Sequence, residues 1–131
     1  MYAVIGWFNV AAVVVMTAPF WLRLINKHAF HNKSKALARL IKILRTVHKP
    51  LGIAILVLAI VHGILALGSL RVHTGTIAGI MLIVTAVLGG SFYRLKKKPL
   101  FIVHRIMALL FALFVLVHLI FPSAVWSLFG I

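Results

Sequence analysis

Four histidines carry the chemistry that this chain is able to do. His48 and His62 stand 14 positions apart, and so do His104 and His118. Fourteen residues at about 100° each fall roughly 40° short of four full helical turns, so on a helix both members of a pair face one way. Paired imidazoles on one face serve as metal ligands or as hydrogen-bonded packing groups.

The other residue types narrow that choice. The chain has no Asp, no Glu and no Cys, against 14 Lys plus Arg and 7 His. Carboxylate pairs for acid–base catalysis are therefore excluded, as are carboxylate-bound Mg or Ca and pumps built on buried acids. Disulfides, Fe–S ligation and covalent haem attachment through Cys-x-x-Cys-His are excluded as well. The one backbone carboxylate falls at Ile131. Balancing anions for the cations must come from lipid, a cofactor or a partner.

The elements that must position the histidines are membrane spans. The chain has 131 residues, 64% hydrophobic and 11% charged, with a mean hydropathy of +1.19. Soluble domains average about a quarter charged. The pI near 12 does not indicate a nucleic acid partner, because groove-reading motifs and a polar surface are missing. Four apolar stretches are of bilayer length, at residues 2–22, 51–70, 74–93 and 100–121. The expectation is an all-α, integral membrane four-helix up-down bundle forming a single transmembrane domain over 1–131. The first stretch lacks a positive leader region and a small-residue cleavage site, so it reads as a retained helix.

Charge sets the expected orientation. Arg23, Lys27, Lys33, Lys35, Arg39, Lys42, Arg45 and Lys49 follow the first span, and Arg94, Lys96, Lys97, Lys98 and Arg105 surround the third connection. Only Arg71 falls in the second connection. The positive-inside rule puts both basic segments in the cytoplasm and both termini outside, in a multi-pass protein of the cell membrane. Trp7 and Trp126 fit the outer interface and Trp21 the inner one.

Between the first two spans, residues 34–49 read as a basic cytoplasmic amphipathic helix. Leu37, Leu40, Ile41 and Leu44 recur at helical spacing opposite Lys35, Arg39 and Lys42, with Ser34 as N-cap. Anionic lipid accounts for such a face, and an acidic partner is the other reading. Pro50 marks where it kinks into, or restarts as, the second span. Val47-His48-Lys49 resembles Val103-His104-Arg105, and Val61-His62 resembles Val117-His118, a helix-hairpin repeat with a 56-residue period. The first and third spans match poorly.

In an up-down bundle the second and fourth helices run parallel. His48 is then level with His104, and His62 with His118, the levels about 21 Å apart at about 1.5 Å per residue. That suits two noncovalent b-type haems stacked between the second and fourth helices, each iron bound by one imidazole from each. A zinc or copper site is disfavoured, since each level offers two ligands and no Cys or carboxylate. Arg45, Lys49, Arg94 and Arg105 are placed to neutralise inner propionates, and Arg71 alone serves the outer pair. His28 and His31 read as solvated loop residues, and His73 as an interfacial residue or a partner for an outer propionate or an acceptor. Gly75 and Gly89 repeat the 14-residue spacing in the third span, either for close helix packing or to leave room for porphyrin faces. Thr74 reads as uninformative.

His48-x13-His62 and His104-x13-His118, on two spans separated by a third, resemble the haem-binding core of diheme membrane cytochromes b. Two groups share it: the transmembrane domain of ferric reductases and NADPH oxidases, and the N-terminal four-helix bundle of quinol–cytochrome c reductase cytochrome b. The resemblance covers roughly residues 48–118 and implies that the four histidines are axial haem ligands. The chain departs from both groups. It has no Gly-x-Gly-x-x-Gly fingerprint or flavin domain, and without Glu it cannot carry the Pro-Glu-Trp-Tyr quinol-oxidising motif. The deduced orientation favours the ferric-reductase type.

Two functional readings follow. In the first, the chain is a transmembrane electron carrier. It takes electrons from a cytoplasmic flavoprotein or a membrane quinol and passes them to an external acceptor, with lipids around it. In the second, it is a non-catalytic membrane subunit or small transporter whose histidines pack or bind ligand.

Overall fold

Long uninterrupted apolar runs with few breakers fold into four helices. The structure, a computed structural model, describes residues 1–68, 73–123 and 127. They form α1 (Tyr2–His28), α2 (Lys35–Leu67), α3 (Thr74–Leu95) and α4 (Lys98–Ile120). Each is long and apolar enough to cross a membrane, and no strand occurs among the described residues. The chain is an all-α, four-helix, multi-pass membrane bundle. Leu70, Arg71, Trp126 and Ile131 lie outside the described residues.

The helix ends follow from local chemistry. The Ser34 hydroxyl accepts a hydrogen bond from the Leu37 N–H (3.3 Å) and opens α2. Gly68 closes it in the left-handed region, φ +61°, where glycine carries no Cβ penalty. Pro99 lies in the first turn of α4, where its missing N–H costs nothing. Pro50 lies inside α2, so the amphipathic segment and the second span are one helix. Asn26 is buried at the α1–α2 turn. Its side-chain oxygen accepts from the Ser34 N–H (3.3 Å) and its carbonyl from the Asn32 N–H (2.7 Å).

α1 packs along α2, and α3 along α4, while the two hairpins touch each other far less. The interior they share is a small layer of Ala12, Val13, Ile55, Ala78, Leu82 and Phe111. Ile55 lies seven positions from both His48 and His62, and Phe111 seven from both His104 and His118. The apolar layer therefore separates two histidine levels. Outside it, side chains such as Trp7, Ile53, Ile64, Ile80 and Ile120 are exposed all round, as on a lipid-facing surface.

Candidate functional site

The bundle brings the four spaced histidines into two pairs. The rings of His48 and His104 lie 6.2 Å apart between centroids, with their planes at 83°. Those of His62 and His118 lie 6.4 Å apart at 81°. Because both pairs keep chain order, α2 and α4 run parallel. The His48–His104 level is at the end carrying the basic connections, hereafter the basic end. The His62–His118 level is at the opposite end, where Arg71 is the one Lys or Arg of the connection, and which is called the neutral end for contrast.

Each ring is held from behind by the other helix of its own hairpin. Nδ1 of His62 donates to the Tyr2 carbonyl on α1 (2.9 Å), and Nδ1 of His104 to the Thr85 carbonyl on α3 (2.9 Å). His48 hydrogen-bonds the backbone of Met16 on α1. His118 differs: its Nδ1 meets the Thr74 hydroxyl (2.9 Å), and that hydroxyl donates its own proton to the Pro122 carbonyl (2.9 Å). With its single proton committed, Thr74 Oγ accepts from His118. In His62, His104 and His118 Nδ1 therefore carries a proton, and Nε2 is the nitrogen with which the neutral ring would bind an ion. This is the arrangement in which a metal-ligating histidine is oriented by a second hydrogen bond.

Glycines make the close approach possible. A Cβ on Gly6 would stand 2.9 Å from Cε1 of His62, one on Gly75 2.9 Å from Cε1 of His118, and one on Gly89 3.0 Å from Cε1 of His104. Gly6 follows Tyr2 by one helical turn, and Gly89 follows Thr85 likewise, so each glycine bares the carbonyl its histidine uses. At Met16 no glycine follows. Pro19, three residues on, interrupts the α1 ladder near that height and frees the carbonyl of Val15, not that of Met16. Gly75 and Gly89 thus make room for imidazole edges; Gly63, Gly79 and Gly90 have open space where a Cβ would go.

The arrangement fits an ion held linearly between two imidazoles. With metal–nitrogen bonds of roughly 2.0 Å, trans imidazoles put their ring centroids roughly 6.3 Å apart, and a tetrahedral ion would draw them to roughly 5.1 Å. The observed 6.2 and 6.4 Å match the trans arrangement. Among the described residues no group of three or more His, Cys, Asp or Glu could hold an ion by itself. Two imidazoles alone would not complete the coordination of an ion, so one bound here would need further ligands from outside the chain.

The cations read as propionate partners have definite neighbours. The Lys49 ammonium lies 3.3 Å from the centroid of the Tyr93 ring, and Lys96 lies 4.2 Å from the same centroid. Arg105 stacks near Phe20 and Phe101, at 5.2 and 5.7 Å. Arg94 is exposed, and Arg45 lines an open groove of α2 with Ala38, Ile41, Lys42 and Thr46. Among the described residues, no ring or cation contact brings Arg45, Lys49, Arg94 or Arg105 against an imidazole, and Arg71 lies outside the described residues. His28 and His31 are exposed on the α1–α2 turn, and His73 is half-buried at the start of α3.

Sequence reasoning missed Gly6, Tyr2, Met16, Thr85 and above all Thr74, which is 2% exposed. A signal for several of them exists. Gly6 and Gly75 are 69 positions apart, as are Met16 and Thr85, so the α1 and α3 partners repeat with one offset. The histidines repeat with an offset of 56, and the difference is spread over a longer α1–α2 connection and the longer end of α1 and start of α2 that flank it. The first and third spans correspond once that insertion is allowed for. No protein family model matches the chain, and no curated protein or solved structure matches it either.

Proposed function

We propose that this chain is a transmembrane electron carrier holding two noncovalent b-type haems, one between His48 and His104 and one between His62 and His118. When bound, each haem would supply a one-electron couple, held by one imidazole from α2 and one from α4. The observation that carries this reading is the imidazole geometry: two trans-spaced pairs, with Nδ1 tied down on three rings and Nε2 free.

The chain's own residues perform three tasks in this reading. Tyr2, Met16, Thr74 and Thr85 orient the imidazoles, and Tyr2, Thr74 and Thr85 do so through Nδ1, which leaves Nε2 as the nitrogen that would bind an iron. Ile55, Phe111 and their neighbours keep the midplane apolar between the levels. Lys49, Lys96 and Arg105 put positive charge at the basic end, where it favours electron arrival and attracts an acidic donor protein. With the basic end in the cytoplasm, a membrane potential negative inside favours outward electron movement by about 2.3 kcal/mol per 100 mV for a full crossing. The donor is then a cytoplasmic flavoprotein or a quinol, and the acceptor an external oxidant such as an iron chelate or dioxygen.

A reduced-minus-oxidised absorption spectrum of the purified, folded protein tests the reading. A sharp low-spin b-type band is expected. Its absence from well-folded protein supplied with haem would leave the four histidines as packing residues.

A further inference from the structure

The four orienting contacts are not equivalent. Three imidazoles are tied to helix backbone, which no substitution removes, and one is tied to a side chain. A carbonyl can only accept, so it fixes the proton on Nδ1 outright. A hydroxyl can also donate. Thr74 accepts from His118 only because its own proton is engaged by the Pro122 carbonyl. At 2% exposure, no water stands ready to replace it. Gly75, next in the chain, leaves the gap that lets the ring reach it.

We propose that Thr74 is a positioning residue that fixes the Nδ1–H tautomer of His118 and sets the electron affinity of the neutral-end site apart from that of the basic-end site. The second half rests on the haem reading above. A hydroxyl already donating to a carbonyl is a stronger acceptor, because successive hydrogen bonds polarise one another. A firmly held Nδ1–H makes the imidazole a more basic ligand and favours the oxidised state of the ion it binds. Removing the hydroxyl weakens the ligand and favours the reduced state, at the neutral end alone.

Thr74→Val deletes the hydroxyl with little change of shape, and Thr74→Ser keeps it. The tautomer half is read by NMR of the full chain in nanodiscs with 15N-labelled histidine, before haem is added. His118 should be Nδ1-protonated in the wild type and in Thr74→Ser, and a tautomer mixture in Thr74→Val. The tuning half is read by redox potentiometry of the haem-loaded chain. Thr74→Val should raise the neutral-end midpoint by about tenfold in its one-electron equilibrium constant, ~59 mV. The basic-end midpoint should stay put, and Thr74→Ser should match the wild type. An unchanged tautomer in Thr74→Val overturns the first half. Unmoved midpoints, equal shifts at both levels, or Thr74→Ser behaving like Thr74→Val overturn the second. A wild-type chain that takes up no haem overturns the proposed function and the tuning half with it, while the NMR result still decides the tautomer half.

Discussion

The two histidine levels share one plan and differ in what surrounds it. Both pair a ring from α2 with a ring from α4 at nearly the same spacing and nearly perpendicular planes. At the basic end both rings are held by helix backbone, and Lys49, Lys96 and Arg105 crowd the aromatic residues beside them. At the neutral end one ring is held by a hydroxyl, and the connection carries a single cation in the sequence, Arg71. In the proposed reading the common plan sets what each level would bind. The surroundings make the two levels unequal, so two haems held there would differ in electron affinity.

The largest effect that breaks this comparison is loss of a ligand. His48→Ala and His104→Ala should each abolish the same haem component and spare the other, and His62→Ala and His118→Ala should do the reverse. Haem content and spectra of the four variants check this. A component lost in common by His48→Ala and His62→Ala would refute the parallel arrangement of α2 and α4.

A smaller effect comes from the glycine notches. Gly75→Ala should weaken the neutral-end site and Gly89→Ala the basic-end site, because a Cβ at 2.9–3.0 Å forces the imidazole aside. Overpacking of this kind costs about 1–3 kcal/mol, roughly fivefold to a hundredfold in affinity. Gly79→Ala, with open space at its Cβ, should leave both sites unchanged. Haem titration of the three variants separates a notch from ordinary helix packing.

How much of this was legible in the sequence differs between helices. α2 and α4 declare themselves, since a histidine is rare in an apolar span and its 14-residue spacing survives any error in helix ends. Ser34 was legible as a cap for a similar local reason. α1 and α3 were not, because their contribution is a bare carbonyl and a missing Cβ. A backbone carbonyl leaves no trace in residue type, and a glycine in a membrane helix has many other uses. Thr74 reads as a routine residue at a helix start, until its burial and its contact with His118, 44 positions away, give it a role. The continuity of α2 through Pro50 was also illegible, because proline is compatible with both a break and a kink.

The smallest effect concerns charge at the basic end. Lys49→Ala removes a cation next in sequence to His48, and loss of positive charge disfavours the reduced state. The basic-end midpoint should fall slightly, less so at high salt, while the neutral-end midpoint stays fixed. Potentiometry at two ionic strengths measures this, and an equal fall at both levels would contradict a local charge effect.

The central claim is that each level is a trans bis-imidazole site with perpendicular rings. Electron paramagnetic resonance of the oxidised, haem-loaded protein tests it most directly, because the angle between axial imidazole planes governs the anisotropy of low-spin ferric haem. The interplanar angles of 83° and 81° predict two strongly anisotropic low-spin signals, together integrating to two spins per chain, with no high-spin component. One spin per chain, a high-spin signal, or the weakly anisotropic spectrum of parallel imidazoles would contradict the account.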